Sequence, residues 1–225
     1  MYEEGGSRLP GAVRWSSTPQ RPTRVLPDGC LDLLWYGGAL VVAGPDTTAF
    51  ISEASSAEPV AGLRFAPGVG PGVFGLPAPE LRDQRVRLDE LWSASEVRLL
   101  SERVAAAAAD RGAALEQVAG PRLAQHPPDP TMRGIAGLLA AGWSVSRAAA
   151  SAGLSDRQLH RRSLVAFGYG PKTLARILRL DRALVLARSG VAASDCAQRT
   201  GFADQAHLAR DVRALTGTTL TGLIS

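Results

Sequence analysis

Two segments near the end of the 225-residue chain, GLSDRQLHRRSLVAFG (Gly153 to Gly168) and DQAHLARDVRALTG (Asp204 to Gly217), follow one plan. Each contains a polar residue suited to cap a helix, Ser155 or Asp204. Leu159 and Leu208 stand four residues after these caps, Arg161 and Arg210 two further on, and a glycine closes each segment. Ahead of each lies a run of small residues, Val145 to Ala152 and Ala192 to Thr200, that ends at a glycine. A short helix, a tight glycine turn and a capped second helix make a helix-turn-helix. A chain that writes this unit twice is constrained to a helical C-terminal domain holding two such units.

The stretch between them predicts one continuous helix. Pro171 suits the first helical position after Gly170, and Ile177, Leu180, Leu184 and Ala187 share one face. Residues 171–188 would span about 27 Å at the rise of an α-helix. Successive major-groove faces on one side of B-DNA lie about 34 Å apart, so a helix of this length plus its end turns suits two reading heads one turn apart.

Charge is divided along the chain. Residues 1–130 hold 12 Arg against 16 Asp and Glu (12 − 16 = −4), and residues 131–225 hold 13 Lys and Arg against five Asp (13 − 5 = +8). This asymmetry predicts a polyanion-binding module joined to something else. The apolar fraction of 45% and charged fraction of 20% are those of a globular protein, and no apolar run is long enough to span a bilayer. The acidic start, MYEEGGSRLPG, is unlike a secretory signal, and two distant cysteines, Cys30 and Cys196, fit a reducing compartment. The expectation is a cytoplasmic protein with no membrane partner and no cofactor.

The front of the chain reads as strands. Arg24 to Pro45 has two apolar runs broken by Gly37-Gly38, a hairpin signal, and Gly62 to Phe65 and Arg85 to Leu88 read as further strands. The Pro- and Gly-rich stretch from Ala66 to Pro79 is expected to be a loop. Glu96 to Ala109 and Ala113 to Ala124 have the composition of two helices, and HPPDP (His126 to Pro130) is the linker candidate. The expected fold is therefore α+β and multidomain. A β-rich barrel or sandwich occupies 1–93, a helical pair 94–125, a linker 126–130, and an all-α domain with two helix-turn-helix units joined by a long helix 131–225. Val97, Leu100 and Val104 on the first helix of the pair, and Leu115, Val118 and Leu123 on the second, must pack partly on the β domain. Any surplus would suit a two-fold contact and a homodimer; the alternative is that one subunit uses both helices fully.

The ninety-odd residues from Arg133, above all DCAQRTGFADQAHLARDVRALTG, resemble the AraC/XylS family of bacterial transcription regulators. Cys196 departs from the family's usual Ile, and the proline expected soon after Gly217 is missing. The resemblance implies a regulator that binds double-stranded DNA, with RNA polymerase as a further partner. By slot, Arg157, His160, Arg161, Gln205, Ala206, His207 and Arg210 would face bases, while Ser155, Arg162 and Lys172 would face phosphates. The chemistry suits these roles: Arg forks onto guanine, Gln pairs with adenine, and Ala meets a thymine methyl.

The stretches VLPDGCLDLLW and GLRFAPGVGPGVFGLPAPELRDQRVRLDELW resemble the cupin-like sensor half of some AraC-like regulators. That implies a small-molecule effector pocket or a regulatory interface, with Trp15, Trp35, Phe50, Phe65 and Phe74 as candidate lining and the core as their alternative place. Residues 1–125 contain no histidine, so the ligand set of a metal-binding cupin is missing. Two rival functions stay open: thiol-redox sensing through Cys30, and an enzyme on the β domain using Cys30 with the distant His126.

Overall fold

Side-chain alternation shapes the front half. In strand β4 (Leu31–Tyr36) Leu31, Leu33 and Trp35 are buried, while Asp32, Leu34 and Tyr36 turn to the other face. The structure, a computed structural model, describes residues 2–53 and 59–224. Strands β1 (Tyr2–Gly6), β2 (Ala12–Ser17), β4, β5 (Ala39–Ala43), β7 (Val60–Phe65) and β8 (Arg85–Arg87) form one antiparallel sheet in the order β1-β2-β7-β4-β5-β8. Leu33 lies opposite both Leu63 and Val42, so three adjacent strands aim their apolar positions one way. Gly37 and Gly38, at φ 56° and 77°, make the tight turn between β4 and β5. A separate ribbon of β3 (Thr23–Val25) and β6 (Phe50–Ser52) completes the strands.

The apolar face is covered by α1 (Gly70–Phe74), α2 (Ala94–Ala106) and α3 (Arg111–Gln125). Phe65 meets Phe74 edge to face at 5.8 Å. The segment expected to be a loop thus contains a short helix. Pro71 is tolerated in its first turn, and Val69, Val73 and Phe74 supply buried apolar side chains that its Gly and Pro content masked. At two places the sheet tolerates only glycine. A Cβ on Gly44 would stand 1.5 Å from the Leu81 carbonyl oxygen, and one on Gly62 would stand 2.2 Å from the Trp15 indole.

The helical pair spends most of its apolar surface internally. Val97, Val104, Leu115, Val118 and Leu123 are buried in the sheet core and Leu100 packs against it. What remains exposed is Leu99 and a few alanines. A stable dimer contact buries about 800 Å² per partner, more than this remnant supplies. Light scattering is expected to find one copy of the chain at micromolar concentration; a dimer that dissociates on Leu99→Asp would show the opposite.

Helices α4 (Pro130–Ala140), α5 (Val145–Ser151), α6 (Asp156–Phe167), α7 (Pro171–Arg188), α8 (Ala193–Thr200), α9 (Gln205–Thr216) and α10 (Leu220–Ile224) follow. They enclose a second core in which α7 buries Leu174, Ile177, Leu180, Ala183, Leu184 and Ala187 along one face. Leu26, from the front half, packs against this second core. Among the described residues no helix is long and apolar enough to cross a membrane.

Candidate functional site

The two repeated units fold alike, with one difference of a residue. In the first, Gly153 turns the chain at φ 65°, the Leu154 N–H donates to the Ala149 carbonyl at 3.0 Å, and Ser155 caps α6 in a reciprocal box with Gln158. In the second, Gly201 turns at φ 81°, the Phe202 N–H donates to the Ala197 carbonyl at 2.9 Å, and Asp204 accepts from the His207 N–H at 2.6 Å. Leu159 and Leu208 are both buried. The second turn carries an extra residue, Ala203, whose N–H donates to His207 Nδ1 at 3.3 Å. The same imidazole sits edge-on against Phe202 at 5.3 Å.

Helix α7 locks the units to each other. The carboxylate of Asp211 on α9, half-turned into the core, accepts from Arg176 Nε and Arg179 Nη2, each at 3.0 Å. Arg179 also stacks over Phe202 at 4.2 Å. Arg182 donates to the Leu139 and Ala140 carbonyls at 3.0 and 2.8 Å, satisfying the C-terminus of α4. The spacing of Arg176, Arg179 and Arg182 was a signal open to sequence reading, since residues three apart share a helix face; their carbonyl and carboxylate partners were not.

On the outer side of this frame, Arg157, Arg161, Gln205 and Arg210 are exposed and their side chains hold no hydrogen bond or ion pair with another described residue, and Ala206 is exposed beside them. Lys172 is likewise exposed and unpaired. His160 is exposed with its ring against Gly170. Three of the residues singled out in the sequence are occupied elsewhere. Ser155 is engaged in its cap, Arg162 pairs with Asp129 at the start of α4, and His207 supports the turn.

Behind the reading face, the front half grips the C-terminal ends of both second helices. Arg82 donates to the Gly168 carbonyl at the end of α6 at 3.0 Å. Arg24 donates to the Thr216 carbonyl at the end of α9 at 2.5 Å, and the Ala49 N–H donates to the Leu215 carbonyl at 2.7 Å. Cationic donors at helix C-termini meet both the unpaired carbonyls and the dipole. Nothing in the sequence patterns predicted these contacts, which span more than eighty residues.

Between the solvent face of the sheet, the β3–β6 ribbon and α7 lies a cavity of about 830 Å³. Trp15 and Phe50 line it, together with Leu34, Val41, Leu180 and Leu184. Trp35, Phe65 and Phe74, the other aromatic candidates, fill the sheet core instead: β-strand alternation turns Trp35 and Phe65 to the opposite face, and Phe74 reaches them from α1. Asp32 accepts from Trp15 Nε1 at 2.6 Å and shares Arg64 with Asp28 at 3.5 and 3.3 Å. Burial pushes the Asp32 carboxyl up to about 6, against the pull of Arg64 and with Asp28 adding to the rise. Arg64, for its part, stays charged more firmly than usual: burial opposes its charge, and Asp32 and Asp28 outweigh that. For the acid, burial wins because one guanidinium is divided among several carboxylates.

A raised folded-state value means the folded protein holds the Asp32 proton more tightly than the unfolded chain does. Its share of stability is therefore present at low pH and lost as pH climbs from about 4 to 6. Denaturant melts of Asp32→Asn against the parent are expected to show the variant gaining on the order of 1–3 kcal/mol, relative to the parent, across that window. A gap that narrows with rising pH would show Asp32 to be stabilised in its charged form.

Cys30 is held beside these acids: its N–H donates to Asp28, and burial, then Asp28 and Asp32, push its thiol well above the ordinary range. Such a thiol is a poor nucleophile. Cys196 is buried in the second core. Among the described residues no three His, Cys, Asp or Glu side chains are placed to hold a metal ion.

An antiparallel sheet domain docked on a helical domain with two helix-turn-helix units defines the class. Residues 148–223 match the helix-turn-helix domain family, and residues 12–87 match a domain of unknown function (DUF6597). The chain thus pairs a helix-turn-helix half with a separate N-terminal domain. Among solved structures, an apo variant of ToxT from Vibrio cholerae shares the fold at 12% identity and a TM-score of 0.52, covering 96% of this chain and 97% of that one. ToxT from Vibrio cholerae O395 bound to (E)-4-(8-methylnaphthalen-1-yl)but-3-enoic acid is similar at 9% identity and a TM-score of 0.50, covering 99% and 98%. A probable AraC family transcriptional regulator from Rhodopseudomonas palustris matches at 24% identity over 43% of this chain and 95% of its own, with a TM-score of 0.38. No curated protein matches the chain.

Proposed function

We propose that the chain is a sequence-specific DNA-binding transcription regulator whose α6 and α9 enter neighbouring major-groove segments on one face of the duplex. The observation that carries this reading is the pair of free arginines, Arg161 and Arg210, at equivalent positions of a doubled unit held by one 18-residue helix. Arg157, His160 and Arg161 on α6, with Gln205, Ala206 and Arg210 on α9, are the proposed base contacts. Lys172 is the proposed phosphate contact. Ser155, Arg162 and His207 act by holding the helices in place, since their polar groups are already engaged. Such a regulator works in the cytoplasm, where the chromosome is.

The cavity is the proposed effector site. It is bounded by the ribbon that grips α9 and by α7, so a small molecule inside it touches the parts that set the relative orientation of α6 and α9. The ToxT structure with a bound naphthyl butenoic acid offers a precedent for small-molecule binding on this fold. Catalysis has no support from the environment of Cys30, and the same raised thiol argues against a redox switch there.

The test is binding of the full chain to duplex DNA selected from a random pool. Affinity is expected to fall steeply with salt, by about 10³ between 50 and 200 mM if six or more phosphates are neutralised. Lys172→Ala should weaken selected and random duplexes alike, whereas Arg161→Ala should weaken mainly the selected one. Salt-independent binding, or equal losses for Arg161→Ala on both duplexes, would overturn the reading.

A further inference from the structure

The two reading helices offer the same positions and different chemistry. Counted from its cap, Ser155 for α6 and Asp204 for α9, each helix buries a leucine at the fourth residue and exposes the first, second, fifth and sixth. Residues at these spacings share the face turned away from the core. The sixth is arginine in both, Arg161 and Arg210. The other three differ: Asp156, Arg157 and His160 on α6 stand where α9 has Gln205, Ala206 and Ala209. The third residue is engaged internally in both, Gln158 in its reciprocal cap with Ser155 and His207 on the Ala203 N–H. The side chains of Asp156, Arg157, Gln205 and Arg210 hold no bond to another described residue.

Nothing obliges the two faces to match. A two-fold dimer presents one set of side chains twice, so its site is a palindrome. Here both heads belong to one chain, with α9 tied to α7 through Asp211, Arg176 and Arg179, and each head carries its own set. Groove chemistry then assigns the positions. Arginine forks onto guanine O6 and N7, and an acid accepts from the cytosine amino group. Glutamine pairs with adenine N6 and N7, and an alanine methyl meets the thymine methyl.

We infer that the DNA this chain recognises is directional: two unlike blocks about one helical turn apart, with G·C pairs alone under α6 and mainly A·T pairs under α9. The inference rests on the reading of α6 and α9 as groove-entering helices. Arg161 and Arg210 set a guanine at the matching position of each block. Arg157 adds a second guanine on the α6 side, and Asp156 favours a cytosine. On the α9 side Ala206 accommodates a thymine methyl where an arginine would call for guanine, and Gln205 takes an adenine. Such a site has neither two-fold nor repeat symmetry, so one bound copy faces one way along the duplex.

Selection by the full chain from a random duplex pool, read base by base, tests this. The parent should return two unlike blocks, and exchanging the A·T pairs of the α9 block for G·C should weaken binding about fivefold or more. Ala206→Arg gives α9 the α6 side chain at this position; the α9 block should then turn from T·A to G·C there, while the α6 block stays unchanged. Arg157→Ala should relax one G·C position of the α6 block alone. Both variants should melt like the parent, since both positions are exposed on a first turn and hold no partner among the described residues. Two blocks with the same preferred bases would overturn the inference and leave the groove-reading helices standing. So would an Ala206→Arg profile identical to the parent's, or an Arg157→Ala profile that keeps both guanines. A profile with no preferred block would strike the groove-reading itself, and the inference with it.

Discussion

Replacing Arg161 and Arg210 together by alanine is expected to weaken binding to the preferred duplex by roughly 30-fold to 10⁴-fold, and binding to random duplex far less. Each guanidinium can fork onto one guanine, and such a contact is worth about 1–3 kcal/mol of discrimination. The two stand on different helices without a shared partner, so their losses should add. Neither side chain is bonded to another described residue, so the double variant should keep the parent's melting temperature. A base-by-base preference profile is the decisive readout: each single variant should relax preference at one position, and the two positions should lie about one helical turn apart. Relaxation at a shared position would mean that the helices do not read separate grooves.

The largest effect on stability is expected from Gly44→Ala. The added Cβ would overlap the carbonyl of Leu81 at 1.5 Å, and the obstacle is backbone, which has no rotamer to retreat to. Gly44 also donates its N–H to the Gln84 carbonyl at 3.0 Å, so moving the strand away breaks the β5 side of the sheet. A loss above about 4 kcal/mol belongs to this kind of clash. Heat or urea should then unfold the sheet domain early, read from the fluorescence of the buried Trp35 and Trp92, while much of the helical signal persists because α4–α9 pack around their own core. Gly5→Ala is the control: its Cβ would meet nothing within 4 Å, and a change within about 0.5 kcal/mol is expected. A Gly44→Ala chain that melts like the parent would contradict the close approach of β5 and the Leu81 turn.

Much of the reading domain was legible before any coordinates. Caps, glycine turns and an apolar stripe are local signals, and local hydrogen bonds and burial enforce them; α6 starts directly after the Ser155 cap, and residues 171–188 are helical over the very span expected. The hairpin at Gly37-Gly38 was equally legible, because two positive-φ residues between alternating strands permit little else. The short helix at Gly70–Phe74 was missed because its Pro and Gly content outweighs, in a local reading, the core contacts that stabilise it.

The sequence by itself determined that two capped second helices with an arginine at the same slot in each would stand on one long helix, since spacing and charge sufficed for that. Only the tertiary structure decided which groups were free to act. It turned His207 inward to serve an extra turn residue, paired Arg162 with Asp129, and sent Trp35, Phe65 and Phe74 to the core rather than the cavity. It alone brought Arg24 and Arg82 to the ends of α9 and α6, and set Asp28 and Asp181 in the lining of one cavity. Such contacts arise from how two separately cored halves dock, and no periodicity within either half encodes them.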